Sequence, residues 1–339
     1  MGPGGILLID KPAQVTSFQV VNHVRRQLVA AYPELQPRRR GGRRGGPKPP
    51  RFKCGHAGTL DPLATGLLVV LVGKGSRLSP FLMGMDKTYA ATVRFGAATD
   101  TLDSEGQVTA TAAVPEDPAV LQDVLPNLTG DIMQVPPLIS ALKRDGKALY
   151  KRVRAGEDVA EPEARPVTIS RLQITGTRWP AEVDGEKVFE ADLLVSCSSG
   201  TYIRSLARDL ALASGSEGHI RQLRRLVIGP FKVTEAVPGV MQLDGPALAQ
   251  AMRPLAEALP LAPCLELNEQ EAALVRQGGQ PRPEWLQRLD GQPRAAGKGE
   301  ALFLMLDADG GLVAVGQLDS PGGLPRTSVV IPAAETGGD

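Results

Sequence analysis

The sequence predicts an α+β fold: a mixed, mainly antiparallel sheet with flanking helices around a central cleft, followed by a small carboxy-terminal unit of β structure. Three observations carry this reading. Tyr89 to Phe95, Val167 to Thr177 and Val188 to Val195 have the texture of strands, the last alternating Phe189, Ala191, Leu193 and Val195 on one face. Two stretches, one opening at Thr16 and one at Tyr202, repeat apolar residues at helical spacing. Past Val240, Pro254, Pro260 and Pro263 mark a linker, and Ala301 to Leu306 pairs with Leu312 to Leu318 through Asp307-Ala308-Asp309-Gly310-Gly311 as a hairpin.

The elements follow in order. Ile6 to Ile9 reads as a short strand, after which Thr16-Ser17 caps a helix whose Phe18, Val21, Val24 and Leu28 share one apolar face. That helix ends near Tyr32-Pro33. Leu67 to Val72 is a continuous apolar run, a strand buried on both faces. Asp117 caps a helix opening at Pro118 and fading by Pro126. Ile203, Leu206 and Leu210 make a buried stripe, with Arg204 on a different side of it and Gly215 as the stop. Glu269 to Gln277 is a short helix. The expected division is a first domain over 1–245, containing a flexible basic insert at 37–53, and a second over 253–332.

A chain of 339 residues, 42% hydrophobic and 22% charged, belongs with ordinary globular proteins. Cys54, Cys197 and Cys264 are scattered and lack metal-ligand spacing, so no metal or disulfide framework is expected. The amino terminus lacks the pattern of a signal peptide, and no apolar run has the length of a membrane span; a cytoplasmic, monomeric protein is expected. The net charge of +1 hides an asymmetry. Arg38, Arg39, Arg40, Arg43, Arg44, Lys48, Arg51 and Lys53 crowd one Gly- and Pro-rich segment, and setting those eight aside leaves 30 basic residues against 37 acidic ones.

One loop concentrates the chemistry. In Gly55-His56-Ala57-Gly58-Thr59-Leu60-Asp61-Pro62-Leu63-Ala64-Thr65-Gly66 a single carboxylate sits among glycines, with Pro62 fixing φ after it and the apolar run beginning directly behind. Asp61 is therefore aimed. An isolated Asp-Pro pair is most often a surface turn, but this segment resembles the signature loop of the TruB family of tRNA pseudouridine synthases. Further blocks resemble the family in the same order: Asp10-Lys11-Pro12 with Thr16-Ser17, Lys87-Thr88-Tyr89, Thr99-Asp100-Thr101 with Asp103, Gln134-Val135-Pro136-Pro137, Gly200-Thr201-Tyr202-Ile203-Arg204, and Leu223-Arg224-Arg225.

The resemblance implies a pseudouridine synthase fold followed by a small carboxy-terminal β-barrel, a PUA-like RNA-binding appendage, and cofactor-free isomerisation of the T-loop uridine-55 of tRNA. It implies Asp61 as nucleophile, Arg204 as its cationic partner and Tyr89 stacked on the target base. Positions His56, Tyr202 and Leu223 would line the pocket. No guide RNA is expected. Lys143, Arg144, Lys147, Lys151 and Arg152, crowded around Tyr150, and Arg224 with Arg225 suit phosphates, although a solvated face explains such runs equally well. A non-catalytic tRNA-binding or folding protein of the same fold is one alternative. A glycosidase is another, but it needs a second carboxylate that the Asp61 loop does not supply.

The insert rejoins the chain one residue before that loop, within reach of RNA phosphates. If roughly two to four of its cations contact phosphate, replacing Arg38 to Lys48 by a neutral Gly-Ser linker is expected to reduce the slope of log affinity against log salt by about 1.5 to 3. Turnover at saturating tRNA is expected to hold, and an unchanged slope makes the insert a solvated loop.

Overall fold

Strand β1 (Gly5–Lys11) lies antiparallel to β3 (Thr65–Val72), from Gly5 opposite Val72 to Lys11 opposite Gly66, and β2 (Cys54–His56) pairs with β3 as well. The computed structural model describes residues 4–35, 52–140, 142–144, 146–157, 159–183, 186–292, 294–296, 300–318 and 323–332; all but Phe52 and Lys53 of the cationic insert falls outside them. The chain forms two compact units, one built from Met1–Pro62, Gly66–Met85 and Ile228–Asp339, the other from Leu63–Thr65 and Asp86–Val227.

In the first unit β3 is apolar from Leu67 to Val72, where both its faces are covered. Leu67, Val69 and Leu71 point with Ile6 and Leu8 into one cluster, whereas Leu68, Val70 and Val72 point with Leu7 and Ile9 into another. The second cluster is closed by α1 (Ser17–Ala31), whose capping box joins Thr16 and Gln19. Its buried stripe is Ser17, Val20, Val21, Val24 and Leu28, and Phe18, expected on the apolar face, is 69% exposed. The cause is Ser17: its hydroxyl turns inward to bond the backbone of Leu60, which rolls the next residue out.

The second unit carries β4 (Lys87–Phe95), β5 (Gly130–Gln134), β6 (Arg165–Val183), β7 (Glu186–Cys197) and β8 (Gly218–Ile228), in the sheet order β8-β4-β7-β6-β5. The β4–β7, β7–β6 and β6–β5 pairings are antiparallel. Helix α2 (Ile203–Ala213) buries Ile203, Leu206 and Leu210 as its stripe predicts. Across β4, β7 and β6, Glu190 takes Arg94 at 2.8 Å and Arg178 at 2.9 Å, and Arg178 also grips Asp192 at 2.8 Å. The Arg178 hydrogen bonds hold the Asp192 carboxyl below its ordinary range.

The chain then returns to the first unit with β9 (Cys264–Glu266), α3 (Glu269–Arg276), β10 (Arg294–Ala296), β11 (Glu300–Leu306), β12 (Leu312–Leu318) and β13 (Pro325–Val330). The expected hairpin is β11–β12. The expected closed barrel is not found: among the described residues this is an open sheet of order β9-β11-β12-β13, with β10 also on β11 and β9 parallel to it. Strand β11 alternates, Phe303 and Met305 facing a cluster with Trp285 and α3, Leu302 and Leu304 facing the cluster of Ile6 and Leu67. Among the described residues no helix is long and apolar enough to cross a membrane.

That last cluster joins Leu302, Leu304, Leu312, Val315 and Ile331 to Ile6, Leu8, Leu67 and Leu78 in one core. Truncation after Met252 therefore strips one face of β1 and β3. The remainder is expected to lose its cooperative melting transition or to melt at least about 10 °C lower. Calorimetry checks this, and an unchanged transition would mark the carboxy-terminal segment as a separable appendage.

Candidate active site

Asp61 lies in irregular backbone, and its direction is set from both sides. On one side the Ser17 hydroxyl donates to the Leu60 carbonyl at 3.0 Å and accepts from the Leu60 N–H at 2.9 Å. On the other the Pro62 carbonyl accepts from the Lys11 ammonium at 3.2 Å and from the Gln14 N–H at 2.9 Å. Lys11 is fully buried and also donates to the carbonyls of Val15 at 2.6 Å and Pro12 at 2.8 Å. Gln14 takes φ 61° to present its N–H, a left-handed conformation rarely adopted without glycine. Gly58, at φ 98°, makes the turn ahead of Asp61 where a side chain would be strained. The Ala57 N–H bonds the Val69 carbonyl, so the loop starts and finishes on β3. His56, at the end of β2, is half-buried, as is Asp61.

The remaining central residues lie in the second unit. Tyr89 stands on β4 opposite Val195 of β7 and is 9% exposed. Arg204, expected away from the buried stripe, is 5% exposed, because its guanidinium is drawn inward by acceptors. It donates to the carbonyls of Thr101 at 2.6 Å and Ile139 at 3.1 Å, and lies 3.9 Å from the Asp103 carboxylate. Asp103 is itself buried at 4% exposure, accepting from the Thr101 hydroxyl at 2.6 Å and the Glu105 N–H at 3.1 Å. Its loop is fixed to β8: Ser104 N–H bonds the Ile220 carbonyl and Ile220 N–H bonds that of Leu102, which sits at φ 61°. The block Thr99-Asp100-Thr101 with Asp103 was the available signal for Asp103. Tyr202 is the residue before α2, and Leu223 lies on β8 at 8% exposure.

Of the expected phosphate-binding cations, Arg224 is half-buried, and Arg152 pairs with Glu157 at 2.6 Å. Arg225 departs from a surface role: it is 1% exposed, since its position on β8 faces inward. The backbones of Lys143, Arg144, Lys147 and Lys151 belong to a small ribbon and the helix Leu149–Arg154; their side chains fall outside the described residues.

Residues 47–203 match the family described as TruB family pseudouridylate synthase (N terminal domain). The tRNA pseudouridine synthase B of Corynebacterium aurimucosum is 43% identical over 286 residues, 84% of this chain and 84% of its own. That of Aromatoleum aromaticum is 38% identical over 328 residues, 96% of this chain and 92% of its own. Among solved structures, an H/ACA RNP bound to a substrate RNA containing 2′-deoxyuridine gives a TM-score of 0.63 at 20% identity, covering 98% of this chain and 86% of that one. A Cbf5-Nop10-Gar1 complex gives 0.62 at 22% identity, covering 97% and 87%. At such identity the likeness speaks to the fold.

Lys87, two residues before Tyr89 on the same face of β4, has its ammonium lowered to about 8, first by burial and then by the Arg225 guanidinium, against the pull of Asp86. An unfolded lysine keeps its proton to about 10.4. Between these values the unfolded chain binds the extra proton, so stability rises with pH. Lys87→Met is expected to remove that rise, measured as denaturation midpoint from pH 7.5 to 10; an unaltered slope would assign it to other groups.

Proposed function

The chain belongs to the TruB family of pseudouridylate synthases, which are isomerases, and on that footing we propose that it converts the T-loop uridine of tRNA to pseudouridine with Asp61 as nucleophile. The observation that carries the assignment of Asp61 is its double fastening: Leu60 held by Ser17, Pro62 held by Lys11 and Gln14. A loop with two buried anchors on either side of one carboxylate presents that group in a fixed direction, which is what attack on a single ring carbon requires.

The reaction breaks the bond from C1′ to N1, turns the uracil and closes a bond from C1′ to C5. The C5 proton leaves and N1 gains one, so atoms and electrons balance without a cofactor. A carboxylate suits the first step because it attacks and later departs. Arg204 is the cation assigned to the Asp61 carboxylate in this scheme. Flipping the uridine out of the loop costs a few kcal/mol, and stacking on Tyr89 returns about 1–3 kcal/mol. His56, Tyr202 and Leu223 line the base pocket, and Arg224 meets phosphate. The open sheet β9 to β13 serves, in this reading, as a PUA-like platform for the T-arm. The enzyme works as a monomer in the cytoplasm without guide RNA.

Asp61→Asn keeps shape and hydrogen bonding while removing the nucleophile, so it is expected to bind tRNA within about threefold of the parent and to form no more than trace pseudouridine. Chemical detection of pseudouridine in tRNA incubated with the pure variant decides it, and sustained turnover would refute the assignment.

A further inference from the structure

Strand β5 ends at Gln134, a side chain 1% exposed whose amide bonds the main chain of Tyr202 twice. The Tyr202 N–H donates to Gln134 Oε1 at 2.8 Å, and Gln134 Nε2 donates to the Tyr202 carbonyl at 3.1 Å. The amide thus behaves as one more backbone unit, pairing with the residue before α2 as a neighbouring strand would. Its orientation follows from these two contacts, since reversal would set N–H against N–H and oxygen against oxygen.

The bonds beyond it run the same way. The Ser205 hydroxyl and the Arg208 guanidinium both donate to the Val135 carbonyl, at 2.8 Å and 3.2 Å. Pro136 and Pro137 follow with fixed φ and no N–H, and then the Ile139 carbonyl accepts from Arg204 at 3.1 Å. Residues 134–139 therefore cradle the first turn of α2, and the cradle is hung on the Gln134 amide.

From this geometry we infer that Gln134 is a positioning residue for the reaction, setting where α2 begins and hence where Arg204 presents its guanidinium. The inference rests on the role given to Arg204 above. Glutamate lacks the donor when ionised, and leucine removes both bonds to the half-buried Tyr202 main chain, whose carbonyl also accepts from the Leu206 N–H at 3.1 Å. Other charged side chains meeting this corner are Arg208 with its partner Asp209 on α2, and Arg165, opposite Gln134 in β6.

Gln134→Leu and Gln134→Glu would be assayed for tRNA affinity and single-turnover rate, alone and combined with Arg204→Met. Gln134→Leu is expected to cut the rate about 10- to 100-fold with tRNA affinity changed less than about threefold. Its loss is expected to vanish in the Arg204→Met background, because the two residues act as one unit. Gln134→Glu restores the donor only when its carboxyl is protonated, so its rate relative to the parent is expected to fall as pH rises, even if Gln134→Leu fails to fold. A flat ratio across pH, or a full additional loss on Arg204→Met, overturns the inference. The Asp61→Asn result is independent of all these arms, so failure of the nucleophile assignment and failure of this inference are separately visible.

Discussion

The backbone on either side of Asp61 is held by groups that water cannot reach, and the rest of the first unit is arranged to keep it so. Fixing irregular backbone costs on the order of 1–2 kcal/mol of entropy per residue, and a loop saves nothing through ladder bonds. Here the compensation comes from Ser17 and Lys11. A fully buried ammonium is costly unless donors are satisfied, and three carbonyls accept from Lys11. Two of them, from Pro12 and Val15, belong to the turn between β1 and α1, and the third belongs to Pro62. One side chain thus ties the turn and the Asp61 loop into one body, and movement of either exposes the same charge.

For Lys11 and Ser17 to stand where they do, β1 and α1 must be immobile relative to β3. The two clusters flanking β1 and β3 supply that. Odd-numbered residues of β3 pack one way and even-numbered ones the other, so neither layer can slide without moving the register of Lys11 opposite Gly66. The carboxy-terminal sheet closes one of these layers, which makes it a structural part of the loop's support whatever else it binds.

Much of this was legible in the sequence where a local pattern has a local cause. The apolar run Leu67 to Val72, the Thr16 cap, the stripe of α2 and the hairpin after Leu306 all appear as read. What escaped was set by partners distant along the chain. Periodicity gives the angle of a residue about a helix axis but not which group pulls the helix round, so Phe18 was placed inside and Arg204 off the buried face. The pairing of Asp103 with Arg204, that of Gln134 with Tyr202 and the inward position of Arg225 depend on partners or burial that no neighbouring residue announces. The barrel was expected because the position and pattern of the carboxy-terminal segment resemble a PUA appendage, yet closure is a property of the last pairing, which sequence spacing does not fix.

Strands β4 and β7 also show how one sheet combines a charge-matched end with a cation-rich one. At Arg94 and Glu190 the charges are matched, with Arg178 and Asp192 extending the network. Seven residues away, about 24 Å along the strand, Lys87 stands opposite Cys197 with burial and Arg225 outweighing the nearby Asp86 carboxylate. Concentrating cationic groups in a desolvated place opposes folding, and a fold tolerates it when the matched end and the core supply the difference. Tyr89 stands one strand period from Lys87 on the same face. The aromatic surface proposed to receive the base therefore adjoins the part of the sheet where positive charge is held at a cost, which an anionic substrate would lower by approaching it.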